Sequence, residues 1–135
     1  MTPYPRGMEL LRAHLILYVR DQSVSTHFYA AALGAEPTLD VPGMTEFALP
    51  GGAVLGLMPE GGITRLLGDA VDPSRARGVS RAELYLLVKD VDDAHRRALA
   101  AGARELSAPS PRDWGDRAGY TLDPDGHVLA FASRP

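Results

Sequence analysis

Residues 14–37, "HLILYVRDQSVSTHFYAAALGAEP", decide the fold because a similar stretch occurs later in the chain. Residues 83–105, "ELYLLVKDVDDAHRRALAAGARE", give the same order of apolar strand, acidic turn, helix and glycine. Asp21 matches Asp90, and Gly34 matches Gly102 after one residue drops out. A repeat of this length indicates two copies of one structural unit.

A second pair of similar segments extends the repeat. Residues 46–58, "EFALPGGAVLGLM", match residues 119–132, "GYTLDPDGHVLAFA". We align Phe47 with Tyr120, Leu49 with Leu122 and Gly56 with Ala130. Each half of the chain therefore reads as a strand, a helix and further strands.

Local signals support these elements. Asp21 and Asp90 end apolar strands and can cap the following helices, because their carboxylates accept orphan backbone N–H groups. Gly34 and Gly102 suit the left-handed position after a helix. "LPGG" and "DPDG" are turn sequences between strands, and Asp123 and Asp125 belong to the second turn. The sequence predicts a single α+β domain with module one at about 10–62, a polar linker at about 63–81 and module two at about 82–133.

Composition excludes several classes of protein. The chain has 135 residues, 45% of them hydrophobic, and no cysteine, so it can bury one core but cannot form disulfides or thiolate metal sites. A formal net charge of −3 argues against nucleic-acid binding. No signal peptide or membrane span is recognisable, and we expect a cytoplasmic protein.

Strand alternation assigns two faces to the predicted sheets. One face is aliphatic and should pack under the helices; it carries Leu15, Leu17, Val19, Leu84, Leu86 and Val88. The opposite face predicts a ligand pocket with few polar groups. The predicted pocket residues are His14, Ile16, Tyr18, Val54, Gly56, Met58, Glu83, Tyr85, Leu87, Trp114 and Ala130. The alternative is that these side chains fill a collapsed core.

The segments "YAAALGAEP" (29–37) and "WGDRAGYTLDPDGHVLAF" (114–131) resemble the glyoxalase I, bleomycin-resistance and ring-cleaving (extradiol) dioxygenase superfamily, also called vicinal oxygen chelate. The resemblance runs from about His14 to Ala132. It implies two tandem βαβββ modules whose mixed sheets curl around a cavity, with the helices outside. It also implies a homodimer, in which modules of both chains complete the cavity.

The metal-using members of this family carry ligands on four strands, and the resemblance places them at four positions here. Those positions hold His14, Gly56, Glu83 and Ala130. Glycine and alanine have no ligating side chain, and a catalytic metal usually needs about three protein ligands. We therefore expect no metal and no other cofactor, and we expect Gly56 and Ala130 to widen the pocket.

His14 and Glu83 begin equivalent strands, so the repeat could bring them together. They are the candidate catalytic residues, with Glu83 as a base or the pair gripping a ligand; the alternative is a buried hydrogen-bonded pair without chemistry. The resemblance also places Trp114 in a loop that borders the pocket mouth, where it either stacks on a planar ligand beside Arg112 or Arg117 or only anchors its loop. His127 is out of phase with the pocket positions and should point away as an exposed turn residue.

These observations favour a metal-independent protein that binds a small drug-like or aromatic molecule, as the bleomycin-resistance branch does. The alternative is a glyoxalase-like lyase, isomerase or dioxygenase with an atypical metal site. A third possibility is a structural or regulatory dimer with a filled cavity.

Overall fold

The structure is a computed structural model that describes residues 9–135. It contains eight strands and three α-helices, with single 3-10 turns at 50–52, 69–71 and 73–75. In chain order these elements are β1 (His14–Val19), α1 (Gln22–Leu33), β2 (Leu39–Val41), β3 (Met44–Ala48), β4 (Val54–Pro59), α2 (Glu60–Leu67), β5 (Glu83–Leu87), α3 (Val91–Ala100), β6 (Arg104–Pro111), β7 (Arg117–Leu122) and β8 (Val128–Ser133).

The strands form two four-stranded mixed sheets with the same topology. The order is β1-β4-β3-β2 in the first sheet and β5-β8-β7-β6 in the second. In each sheet the first strand pairs in parallel with the last strand of its module, and the other pairs are antiparallel. The predicted pair of βαβββ modules is confirmed. The sheets are open, however, rather than strongly curled around a cavity.

The predicted helix signals act as expected. The Asp21 carboxylate accepts a hydrogen bond from the backbone N–H of Val24 at 3.1 Å, and Asp90 does the same for Asp93 at 3.0 Å. Each bond satisfies an N–H group that has no partner inside its helix. Gly34 ends α1 in the left-handed conformation with φ 63°.

One hydrophobic core joins the two modules. It contains residues of α1 and α3 together with one face of each sheet, including Tyr29, Phe47, Leu55, Leu129 and Phe131. Most of the strand residues predicted to lie under the helices pack against this core, namely Leu17, Val19, Leu84, Leu86 and Val88. Leu15 is 40% exposed, because it lies near the start of β1 at the edge of the first sheet.

The strand register corrects one part of the repeat alignment. Gly56 pairs with Glu46, and Ala130 pairs with Tyr120. Glu46, rather than Phe47, is therefore the structural equivalent of Tyr120. The turns between the paired strands have equal length, since Ala48 pairs with Val54 and Leu122 with Val128. The match needs no gap: Ala48 corresponds to Leu122, and Leu49 corresponds to Asp123.

The segment between the modules has more structure than the sequence indicated. Helix α2 crosses the start of the predicted linker, and the 3-10 turns follow it. Asp72 caps the turn at 73–75 by accepting a hydrogen bond from the backbone N–H of Ser74 at 3.1 Å. Within residues 9–135, no helix is long and apolar enough to cross a membrane.

Candidate functional site

The open face of the second sheet carries an aromatic row. Tyr85, Ala130 and Tyr120 are side by side on β5, β8 and β7, because Ala130 pairs with both tyrosines. Ala130 is fully buried at the centre of the row. Its small side chain has a tyrosine on either side, and we call this row of three residues the platform.

Polar contacts fix one side of this platform. Tyr85 Oη donates to Asp116 Oδ2 at 2.7 Å and accepts from Trp114 Nε1 at 3.0 Å. Arg134 Nε donates to the other Asp116 oxygen at 2.9 Å. These bonds from Arg134 and Tyr85 lower the pKa of the Asp116 carboxyl. Partial burial and the hydrogen bond to Asp116 raise the pKa of Tyr85. The phenol is therefore held protonated, as a donor.

A cation lies against the other side of the platform. The Arg112 guanidinium carbon is 5.2 Å from the centre of the Tyr120 ring, within cation–π range. Arg112 is held there by the carbonyl oxygen of Ala118 at 2.8 Å and the hydroxyl of Ser107 at 2.9 Å. Arg117, the other arginine considered near the loop, instead pairs with Asp92 on α3 at 2.9 Å.

Trp114 is anchored by its indole and exposed on its ring. Its indole N–H is anchored on Tyr85, as a structural role requires. Its side chain nevertheless remains largely in solvent, since the residue is 58% exposed. An exposed, oriented indole beside Tyr85 is suited to stacking on a flat ligand.

The first sheet presents a different surface at the equivalent place. Gly56 lies between Ile16 on β1 and Glu46 on β3. A Cβ at Gly56 would lie 3.1 Å from Ile16 Cγ1 and 3.3 Å from Met44 Sδ. These side chains occupy the space beside Gly56, so the glycine does not widen a pocket as expected. Tyr18 and Met58 continue this face as half-buried neighbours in register.

The structure gives His14 a partner that the sequence analysis missed. His14 Nδ1 is 3.5 Å from Glu46 Oε2. No ion pair joins His14 to Glu83 in the described part of the chain; Glu83 begins the other sheet, near Tyr120. A gapless alignment of the repeat would have revealed Glu46, since it places this residue on the His14 face.

The arrangement around His14 is poorly suited to a cation. His14 Nε2 accepts a hydrogen bond from Arg12 Nε at 3.1 Å, so a metal on this nitrogen must displace a guanidinium. The nearby carboxylate of Glu46 supplies one further oxygen, and Gly56 and Ala130 supply no side-chain ligand. The strand positions of the metal-using family members therefore do not fit a well-held metal here.

His127 is half-buried rather than exposed as expected, because its imidazole packs against the turn carboxylate of Asp123. Its Nδ1 lies 2.9 Å from Oδ2 of Asp123, whose side chain is fully buried. Burial alone would lower the pKa of His127, but the hydrogen bond and charge of Asp123 raise it. Burial likewise opposes ionisation of Asp123, yet the bonds from His127 and Tyr29 lower its pKa.

The turn residues Asp123, Asp125 and His127 offer ligand atoms within 4.8 Å of one another. The carboxylate oxygens already have partners. Asp123 accepts from the Tyr29 hydroxyl and from two backbone N–H groups, and Asp125 accepts from the backbone N–H of Arg20 at 2.9 Å. The cluster therefore acts as a clamp between the turn and module one.

Two cavities lie next to the open faces and share residues with them. An apolar groove of about 610 Å³ runs along β5, between the turn of module one and the end of α1. A polar pocket of about 560 Å³ is lined by His127 and by residues of the segment that joins the modules. Of the predicted pocket residues, Tyr85 and Leu87 line the apolar groove and Tyr18 lines the polar pocket; within one chain the predicted residues are divided between the two sheets.

Comparisons with known proteins agree with this architecture. Residues 12–131 match the family model described as the glyoxalase/bleomycin resistance protein/dioxygenase superfamily. An uncharacterized protein of Mycobacterium bovis is 34% identical over 127 residues, covering 87% of this chain and 78% of its own length. A glyoxalase-related enzyme from Fulvimarina pelagi is 25% identical with a TM-score of 0.81, over 95% of this chain and 90% of that one. A glyoxalase/bleomycin resistance protein/dioxygenase family enzyme from Burkholderia phytofirmans is 21% identical with a TM-score of 0.79, over 91% of this chain and 98% of that one.

Proposed function

Since the chain belongs to the glyoxalase/bleomycin resistance protein/dioxygenase superfamily, we propose that it binds a small aromatic or amphiphilic molecule without a metal ion. The observation that carries this proposal is the platform of Tyr85, Ala130 and Tyr120, bordered by Trp114 and Arg112. Aromatic faces and a guanidinium bind planar ligands through stacking and cation–π contacts. The missing ligands at 56 and 130 support binding over metal chemistry.

We further propose that the site is completed in a homodimer. Each sheet has an open face, and β1 and β5 are edge strands. A flat platform buries only one side of a ligand, whereas small-molecule sites usually bury most of the ligand surface. The open first-sheet face of a second copy, with Ile16, Tyr18 and Met58, would supply an apolar cover.

Trp114 provides a direct test, because it is the only tryptophan in the chain. A panel of planar aromatic compounds, with cationic and neutral members, is added to protein whose metal content has been measured after purification without chelator. We expect saturable quenching of Trp114 fluorescence and a higher melting temperature, unchanged by EDTA. Tyr120→Ala should weaken binding, while Tyr120→Phe keeps the ring beside Arg112 and serves as the matched control.

The proposal fails if no member of the panel changes either signal, or if binding requires a stoichiometric metal. Sedimentation with and without a binding compound tests the dimer separately. A monomer that binds the compound with full affinity would contradict the shared site but leave the platform intact.

A metal-dependent lyase, isomerase or dioxygenase is the second candidate. The observation in its favour is the contact between His14 and Glu46, which places a carboxylate one strand away from the family's position at residue 56. A metal held there would polarise a substrate oxygen. Stoichiometric divalent metal that is lost in both His14→Asn and Glu46→Gln would favour this candidate over metal-free binding.

A further inference from the structure

The polar pocket beside His127 lies at the junction of β1, the segment between the modules and the β7–β8 turn. Its volume is about 560 Å³. Its lining consists of Tyr18, Arg20, Glu60, Pro73, Ala76, Arg77, Gly78, Asp125 and His127. It shares no residue with the aromatic platform, and it has enough room for a small metabolite.

His127 is the most sharply oriented group in this pocket. Asp123 accepts from Tyr29 Oη at 2.7 Å, from His127 Nδ1 at 2.9 Å and from the backbone N–H groups of Asp125 and His127, both at 2.9 Å. A carboxylate with these four donors stays ionised and holds a proton on His127 Nδ1. Because the two ring nitrogens lie on opposite edges of the imidazole, Nε2 is turned away from Asp123. No hydrogen bond within residues 9–135 occupies Nε2.

Two guanidiniums line the same pocket. Arg77 Nη1 donates to the carbonyl oxygens of Ser74 and Ala76, both at 3.1 Å, which holds this side chain at the rim. Across the described residues, no carboxylate lies within ion-pair distance of Arg20 or Arg77. Both positive charges are therefore available to an anionic ligand.

The pocket also contains hydrogen-bond acceptors. The carboxylate of Glu60 lies in the first turn of α2 and lines the wall. Asp125 is less available, since one oxygen accepts from the backbone N–H of Arg20 at 2.9 Å and the other from the Ser25 hydroxyl at 3.4 Å. A ligand that fits both sets of groups carries a carboxylate and a nearby hydroxyl or amine.

We propose that this pocket binds a small hydroxy acid or amino acid. Its carboxylate is held by Arg20 and Arg77, and its hydroxyl or amine lies between His127 Nε2 and Glu60. In this role Asp123 fixes the orientation of the imidazole: Nε2–H of the charged ring donates to a ligand hydroxyl, and Nε2 of the neutral ring accepts from a hydroxyl or amine. The site is independent of the platform that carries the proposed function.

The test uses lactate and L-serine as full probes, with acetate and ethanolamine as probes that each lack one of the two groups. Binding is followed through the His127 imidazole signals in NMR spectra. We expect saturable shifts with lactate or L-serine, and an affinity about tenfold higher than with acetate or ethanolamine, as one additional charge-assisted hydrogen bond predicts. Trp114 fluorescence should remain unchanged in the same titration.

Two pairs of variants assign the contacts. His127→Asn keeps an N–H near the position of Nδ1 for Asp123 but removes Nε2, and His27→Asn removes an exposed histidine of α1 as a control. Arg77→Gln removes a pocket cation, and Arg75→Gln removes an exposed one two residues away. His127→Asn and Arg77→Gln should each weaken binding about tenfold or more, and the controls should not.

The proposal is overturned if neither lactate nor L-serine gives saturable shifts at tens of millimolar, or if acetate or ethanolamine binds as tightly. It is also overturned if Arg75→Gln loses as much affinity as Arg77→Gln. Should His127→Asn fail to fold, the Arg77→Gln comparison decides, because Arg77 lies on an exposed segment away from the core.

Discussion

Tyr29 and Asp123 form a buried hydrogen bond between the two modules, although they are 94 positions apart in sequence. Tyr29 Oη donates to Asp123 Oδ2 at 2.7 Å, and neither residue is more than 5% exposed. The bond attaches the β7–β8 turn of module two to α1 of module one. Burial and the adjacent carboxylate raise the pKa of Tyr29 well above its ordinary value, so the hydroxyl remains a donor.

Tyr29→Phe should lower the free energy of unfolding by about 1–3 kcal/mol, because it leaves a buried carboxylate without one of its donors. Urea denaturation at neutral pH measures the change. Tyr18→Phe is the matched control: Tyr18 is half-buried, and its hydroxyl makes no hydrogen bond to a described residue. Equal losses in the two variants would contradict a structural role for the Tyr29–Asp123 bond.

The Asp123–His127 pair should make stability depend on pH in a defined direction. The pKa of Asp123 is lowered in the folded chain, so its contribution is present above about pH 4 and is lost as the pH falls through the folded value. The pKa of His127 is raised, so its contribution is complete below about pH 6.5 and declines as the pH rises through the folded value.

His127→Asn should therefore destabilise the protein most between about pH 4 and 6.5, and less at alkaline pH. Urea denaturation across this range measures the difference from the parent protein. His27→Asn removes an exposed imidazole that makes no ion pair within the described chain, and it controls for general charge effects. A His127→Asn difference that grows with increasing pH would refute the assignment.

The fold could be predicted because both halves of the chain carry the same pattern of elements. A matched strand, capping aspartate, helix and glycine recur in both halves, and local hydrogen bonding enforces each of them. Alternation then separated the helix-facing residues from the open face. Alternation could not show whether a sheet curls or which faces of the two modules pack together, because both depend on packing between distant parts of the chain.

The site was predicted less well for physical reasons that differ from residue to residue. His127 lies in a turn, where the two-residue period of a strand does not apply, and its partner Asp123 draws it inward. Glu46 was missed because one misplaced gap moved it to the wrong face. The bond between Trp114 and Tyr85 joins residues that no local pattern connects.

Gly119 faces α3 at very close range, and its replacement should be costly. A Cβ at this position would lie 2.6 Å from His95 Nδ1 and 2.9 Å from Pro109 Cγ. Gly119→Ala should destabilise the protein by about 1–3 kcal/mol, because neither the buried imidazole nor the proline ring can move freely. Thermal and urea denaturation measure the loss.

Gly61→Ala is the matched control, because it adds the same methyl group within α2. There the new Cβ would meet only Arg65 Nη1, at 3.8 Å. This change should stabilise the helix by about 0.5–1 kcal/mol. If both alanine variants shift stability in the same direction, the close approach at Gly119 is not what limits that position.

Tyr85 should control the orientation of Trp114. The indole N–H donates to Tyr85 Oη at 3.0 Å, so Tyr85→Phe removes a hydrogen bond that orients this exposed ring. The indole then samples more orientations, and its fluorescence anisotropy should fall while acrylamide quenching rises. Tyr120→Phe keeps the phenyl ring beside Arg112 and leaves the Trp114 bond intact, so it should change neither signal.

Since stacking needs a pre-oriented ring, Tyr85→Phe should also weaken binding of planar aromatic compounds more than Tyr120→Phe does. The reverse order would place the ligand against Tyr120 and Arg112 alone.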